Sequence, residues 1–524
     1  MRNPLFACLF LTLQASAQQA DILITNGRIL DGTGNSWFHG DIAIRDGKIW
    51  KVDRQLTGID AKKTIDARRM IVAPGFIDVH THIEGDEFRN PTANNFILDG
   101  VTTVVTGNCG SSETEIGRYL QRLDSLRLSI NVATLIGHND VRSAVMGRAK
   151  RAPTPEEMQK MIDIVDRGMK EGAVGFSTGL IYNPGSYSTT DEVVKLAGAA
   201  GRYHGVYATH MRDEGDSVVQ AIAEALQVGR VNNMPVEISH FKLSGQQNWG
   251  RSVQTLAMVK KAREEGLDVT IDQYPYTASS TSLSTLMPDD ILADGMDSVR
   301  ARLQRPEVRK YVQDYMLKKL KRRKLKHYSY AVVASYRADS TFNGKSIEQI
   351  NLMMGRKHKA KEETQTAMDM MMKGGAGMVF HGMGDEDLKR IMQYPFNMFA
   401  CDASIRVFNQ GVPHPRGYGT NARVLGKYVR EEKVLPLEEA VRRMTSLPAQ
   451  KFNLRDRGLL REGMAADVVI FDENTVRDNA TYEQPHAYSS GFEYVIVNGK
   501  MVVENGSHNG TRSGAVLYGP ATSR

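Results

Sequence analysis

Cysteine is scarce in this chain. Of 524 residues only three are cysteine, and Cys8 lies in a leader expected to be removed, which leaves Cys109 and Cys401. Two thiols cannot staple a fold of this size, so a disulfide scaffold is excluded. Long apolar runs are missing too. The apolar core of the leader, residues 5–13, is too short for a bilayer helix of about 20 residues, and no later stretch is long enough, so no membrane span is expected. Repeats and low-complexity tracts are absent. Gly374-Gly375-Ala376-Gly377 is not followed by the Lys and hydroxyl that a phosphate loop requires, which excludes nucleotide binding through that motif. Neither sign of charge dominates. The net charge of +7 comes largely from residues 318–326, KKLKRRKLK, read as a solvated helix face. No aromatic interleaving or binding module accompanies this segment, so nucleic acid is not expected as a partner. Contact with an anionic envelope surface is the other minority reading.

What is present begins with MRNPLFACLFLTLQASAQQA, where Arg2, the apolar core and Ala15-Ser16-Ala17 read as a cleavable signal peptide, 1–17, and a periplasmic or secreted protein. Leu5-Phe6-Ala7-Cys8 only faintly resembles a lipoprotein box. Residues 18–73 and 456–510 are rich in short β signals separated by Gly and Asp, such as DILITNGRIL and YVIVNGKMVV. Neither half makes a sheet with two covered faces alone, so one small β-sandwich domain built from both chain ends is expected, followed by a tail at 511–524. Between the halves, residues 74–455 alternate short apolar runs with amphipathic helical stretches. Strands are expected at 76–79, 102–106, 131–136, 173–177, 205–210, 236–240, 268–273 and 399–402. Eight β-α units make a (β/α)8 TIM-type barrel of the α/β class, with its site at the strand carboxyl ends. The segment at about 284–362 exceeds what that barrel needs and is read as an inserted lid-like segment.

Side chains with metal-binding chemistry recur at these strand ends. In Phe76-Ile77-Asp78-Val79-His80-Thr81-His82 the two imidazoles share one face of an extended run. Cys109 follows the second strand in GNCG, His210 and His240 end the fifth and sixth, and Asp402 ends the eighth. Imidazole, thiolate and carboxylate together suit Zn2+. Asp402 is a candidate general base and acid.

The segments APGFIDVHTH, GVTTVVTGNCG, ATHMRDEGD, ISHFKLSG, DQYPYTASST, HPRGYGTNARVLG and REGMAADVVIFD resemble the N-acyl-D-amino-acid deacylase (D-aminoacylase) family of the amidohydrolase superfamily. The likeness covers nearly the whole mature chain. It implies a zinc enzyme acting on a small-molecule N-acyl-D-amino acid, releasing a carboxylate and a D-amino acid. It also implies a tight zinc site at Cys109, His210 and His240 and a weaker one at His80, His82 and Asp402. Most superfamily relatives bridge their metals with a Lys or Glu on strand four; here that strand reads Ala173-Val174-Gly175-Phe176-Ser177, so Cys109 is the expected replacement. Strand eight departs from the usual Ser-Asp-Gly by reading Cys401-Asp402-Ala403, which leaves a Cys109–Cys401 pairing as a rival use of the thiol. By the same resemblance Lys242, Tyr274, Ser280 and Arg416 hold the substrate carboxylate, a job that suits a cationic clamp. Phe380 and Met383, with Ile181 and Tyr182, are expected at a pocket for a hydrophobic or uncharged side chain. Two alternatives stay open: a cyclic-amide hydrolase or D-residue dipeptidase of the same superfamily, and a catalytically silent small-molecule binding protein. Oligomeric state is not legible.

Overall fold

The computed structural model describes residues 18–522; the expected signal peptide, 1–17, lies outside the described residues. Eight parallel strands close into a barrel. They are Phe76–Asp78, Val101–Thr106, Asn131–Thr134 continued by Ile136–Gly137, Gly175–Gly179, Val206–His210, Val236–Ile238, Val269–Gln273 and Asn397–Phe399. Each pairs in parallel with its successor, as in Phe176↔Tyr207 and Ile271↔Asn397. Closure runs through the last loop: Asp402 N–H donates to the His80 carbonyl at 2.9 Å and His82 N–H to the Ala403 carbonyl at 3.0 Å. The strands read as near-continuous apolar runs because both faces are covered, one by the barrel interior and one by helices. Ile77, Val105, Ala133, Val174, Ala208 and Met398 pack together inside.

Several strands are shorter than expected. The first ends at Asp78 and the sixth at Ile238, so His80 and His240 sit in the loops just beyond. Among the described residues no helix is long and apolar enough to cross a membrane.

The terminal strands join into one sheet of nine hydrogen-bonded strands. Gln18–Ile29 pairs with Phe38–Arg45, Ile59–Asp66 and Ile71–Pro74. Ile71–Pro74 in turn runs antiparallel to Val468–Phe471, where the two chain ends meet. The sheet rolls over on itself: Ala466 N–H donates to the Gly47 carbonyl at 2.9 Å and Ile49 N–H to Met464 at 2.8 Å. The turns touch so closely that a Cβ on Gly499 would lie 2.6 Å from the Gly47 Cα. Ile24, Ile42, Val72, Val468, Ile470 and Ile496 form the shared core. Buried Asp467 ties this sheet to the barrel, accepting from Asn131 Nδ2 at 2.9 Å and the Asn498 N–H at 2.7 Å, and pairing with Arg457. Residues 514–519 lie along the lower ends of strands three and four, with Leu517 N–H donating to Val132 and Gly519 N–H to Gly172.

After the seventh strand the chain leaves the barrel to build a separate layer. Ala278–Ser282 and Ala331–Ser335 flank Gly377–His381 in an antiparallel sheet. Four helices, Met296–Leu303, Pro306–Arg322, Ile347–Met353 and Ala360–Met372, cover it. Leu283, Val312, Tyr328, Ile350, Met368 and Met378 give it a core of its own. This body begins before 284 and returns after 362, because its central strand comes last in the chain.

Candidate active site

The carboxyl ends of the barrel strands bring all six expected donors together. Cys109 Sγ lies 3.3 Å from His80 Nε2, 3.6 Å from His210 Nδ1 and 3.7 Å from His240 Nε2. His82 Nε2 is 3.2 Å and His80 Nε2 3.7 Å from Asp402 Oδ1. Cys109 therefore stands with His210 and His240 and also against His80 of the other expected set. Cys109 and Cys401 are both buried free thiols, so their pairing is not what the structure uses.

Local backbone explains how short strands deliver these groups. Cys109, His240 and Asp402 all have positive φ, at 53°, 36° and 51°. Residues with a Cβ disfavour that region, and three such residues at one rim mark strain held in place by tertiary contacts. The turn it produces takes each residue out of the strand ladder and aims its side chain across the barrel mouth.

Two carboxylates fix the imidazoles. His80 Nδ1 faces Asp272 Oδ2 at 3.3 Å, and His240 Nδ1 faces Glu214 Oε1 at 2.9 Å. His240 Nδ1 also meets the Lys242 ammonium at 2.8 Å, and both Nε2 atoms turn to the centre, with carboxylates behind the rings as in metal-ligating histidine. His210 Nδ1 then meets His240 Nε2 at 2.7 Å, while buried His210 Nε2 has no hydrogen-bond partner. Two lone pairs that close repel unless a proton or a metal cation lies between them. Burial acts to raise the Cys109 thiol, but the His80 charge and the bonds from His210 and His240 hold it well below its ordinary value. A thiolate among three imidazoles fits zinc, whose bond lengths put sulfur and nitrogen ligands about 3.6 Å apart in a tetrahedron.

Substrate-facing groups surround this centre. Burial acts to raise the Asp402 carboxyl too, yet Arg416 at 2.8 Å, with His80 and His82, keeps it well below the usual carboxylate range. The Arg416 guanidinium lies 4.5 Å from the Tyr274 ring centroid and donates to the Ser280 carbonyl at 3.3 Å. Lys242 Nζ is held by Glu214 at 2.5 Å and by the His240 carbonyl at 2.8 Å. The buried Tyr274 hydroxyl has no hydrogen-bond partner among the described residues. Tyr182, bonded to Thr281 at 2.9 Å, stands against His210.

One cavity of about 440 Å³ opens beside His82, Cys109, Asp402 and Arg416. A narrower one, about 110 Å³, runs from His210 and His240 under the inserted layer, between Ile181, Leu286, Tyr330 and Phe380. Met383 does not line it: Phe380 lies within Gly377–His381 and faces the cavity, whereas Met383 falls beyond that strand's end, its N–H bonded to the Thr277 carbonyl. Sequence reasoning missed two residues that do line it, Lys319 and Arg323. They sit one helical turn apart in the basic run and face inward, while Lys318, Lys321 and Arg322 are exposed. Neither forms an ion pair among the described residues; burial, then the charge of Arg323, pushes the Lys319 ammonium down.

Comparison with known proteins gives the same picture. A profile described as "Amidohydrolase family" matches residues 63–308 and 344–503, the break falling inside the inserted layer. A D-aminoacylase of Alcaligenes xylosoxydans xylosoxydans is 33% identical, over 96% of this chain and 99% of that protein. An N-acyl-D-glutamate deacylase of the same organism is 34% identical, over 93% and 94%. A solved N-acyl-D-glutamate deacylase from Bordetella bronchiseptica, complexed with zinc and a phosphonate inhibitor, superposes with a TM-score of 0.81 at 34% identity, over 96% of this chain and all of that one. With its barrel mouth ringed by histidines and matched from end to end by such relatives, the chain belongs to the amidohydrolase family.

Proposed function

We propose that this protein is a zinc-dependent deacylase that hydrolyses the amide of N-acyl-D-amino acids to a carboxylate and a free D-amino acid. The observation that carries the reading is a carboxylate clamp beside a thiolate–imidazole centre, the two cavities that hold them sharing Asp402 and Ser280. Cys109, His210 and His240 are the residues to hold a tight zinc, with His80, His82 and Asp402 as the second set. Zinc bound there supplies a Lewis acid for the scissile carbonyl and lowers the pKa of water to about 7. Asp402, ionised and between His82 and Arg416, is placed to take a proton from the attacking water and return it to the leaving nitrogen. Arg416, over the Tyr274 ring, and the Tyr274 hydroxyl receive the substrate carboxylate, with Lys242 and Ser280 beside them. The D configuration is supported by the relatives alone. The leader's composition supports export to the periplasm or beyond.

Ile181, Leu286, Tyr330 and Phe380 favour a hydrophobic or uncharged side chain. Lys319 and Arg323 favour a second reading, an acidic side chain, because two cations with no ion-pair partner among the described residues line the same cavity. One assay separates them: zinc-loaded enzyme is given N-acetyl-D-methionine, -leucine, -glutamate and -aspartate, each against its L enantiomer, with hydantoins and dihydroorotate as controls. Preference for D-methionine or D-leucine supports the first reading. Preference for D-glutamate that Lys319→Met abolishes supports the second. Turnover of the cyclic amides alone removes both.

A further inference from the structure

A second group of metal-ligating side chains lies in the inserted layer, away from the barrel mouth. His327 Nδ1 is 2.6 Å from Glu363 Oε1 and 3.7 Å from Glu348 Oε1, and His358 Nε2 is 2.6 Å from the same Glu348 oxygen. All four donor atoms fall within 4.8 Å of one another. None of these residues lines either cavity at the site. We propose that His327, Glu348, His358 and Glu363 form a structural site for a divalent ion of the zinc class.

The chemistry favours an ion over four side chains that happen to meet. Two imidazoles and two carboxylates are a complete tetrahedral donor set of the borderline type that suits zinc. Tetrahedral bonds of 2.0–2.2 Å place donors about 3.3 Å apart, and the three separations above bracket that spacing. The carboxylates bring two negative charges, which one divalent ion neutralises. The His327 and His358 rings lie nearly parallel with centroids 4.2 Å apart, an unfavourable pose if both carried protons. Glu363 is fully buried, and its other oxygen accepts the Tyr328 N–H at 2.7 Å, so Oε1 is fixed in place by backbone. Glu348 stands in the first turn of a helix whose Ser346–Gln349 capping box is complete, so its backbone is set there.

Position gives the site a purpose. The four ligands come from the segment before Tyr328–Tyr330, the helix Ile347–Met353, the loop after it and the helix Ala360–Met372. An ion there ties these pieces together three residues from Tyr330, which lines the cavity and lies under Arg323. The site thus stiffens the wall of the substrate cavity without touching substrate.

Metal-stripped protein is dialysed against Zn2+ at known free concentrations, bound metal is counted by elemental analysis, and the thermal midpoint is followed with and without zinc. Wild type is compared with His327→Gln/His358→Gln and with His358→Gln alone, whose ring is half-exposed and packs on the His327 ring of the same cluster. Wild type is expected to bind one equivalent per chain more than the double variant. The single variant is expected to bind that equivalent at least ten-fold more weakly, with a smaller zinc-dependent rise in midpoint. Equal stoichiometry, affinity and midpoint shift in wild type and His358→Gln overturn the proposal, whether or not the double variant folds.

Discussion

Asp402→Asn isolates the charge at the centre of the site while keeping its shape. Three cationic or metal-facing groups surround the carboxylate: Arg416 at 2.8 Å on Oδ2, and His82 at 3.2 Å and His80 at 3.7 Å on Oδ1. If Asp402 moves the proton, its loss removes a general acid–base contribution of roughly a hundred- to ten-thousand-fold in kcat, or about 3–5 kcal/mol of barrel-mouth catalysis. The asparagine also frees Arg416 from its counter-charge. A guanidinium no longer shared with Asp402 binds the substrate carboxylate at least as well, so KM is expected to stay level or fall. Cys109, His210 and His240 are untouched, so the tight zinc stays. The expected signature is therefore a kcat collapse with KM not raised and zinc at the wild-type level, read by amine release and elemental analysis on the same preparation. A kcat within ten-fold of wild type at full zinc refutes the reasoning. So does a loss of kcat that tracks loss of zinc and is restored by adding zinc, because Asp402 is then a ligand and nothing more.

Two further outcomes follow from buried groups with unusual surroundings. Tyr274→Phe deletes a hydroxyl that has no hydrogen-bond partner among the described residues, so the thermal midpoint is expected to hold or rise slightly. A hydrogen bond to a charged group is worth about 1.5–3 kcal/mol, so KM is expected to rise roughly ten- to hundred-fold; an unchanged KM removes Tyr274 from the clamp. Lys451 is buried, and its ammonium is pushed down from 10.5 to about 8 by burial, against the pull of Asp268. A lysine with a folded value below its unfolded one costs stability most below about pH 8, and that cost fades as pH climbs toward 10.5. The cost is about 3 kcal/mol, less about 1 for the bond Lys451 gives the Asp268 carbonyl. That carbonyl keeps the Val236 N–H, so Lys451→Met strands nothing. The variant is expected to melt above wild type at pH 7, with the gap closing by pH 10; a gap independent of pH counts against the titration.

The barrel was legible because its signal is repeated. Eight apolar runs at helical intervals leave few alternatives, and the rim they imply named His80, His82, Cys109, His210, His240 and Asp402 before any coordinate did. What period and spacing do not carry is direction. Asp272 and Glu214 lie inside segments quoted for their likeness, DQYPYTASST and ATHMRDEGD, yet their task of turning His80 and His240 appears only when Nδ1 and carboxylate oxygen face each other. The positive φ at Cys109, His240 and Asp402 is invisible for the same reason, since none of the three is glycine and only the closed barrel holds them there. The basic run misled in a related way. Its composition reads as solvent-facing, and Lys318, Lys321 and Arg322 obey, but Lys319 and Arg323 share the other face of one helix, and that face meets the cavity. A window average weighs all nine residues alike, whereas a helix sorts them by angle. The amidohydrolase profile leaves this helix, Pro306–Arg322, at Val308, and Lys319→Met is the substitution that reads out what the inward face contributes.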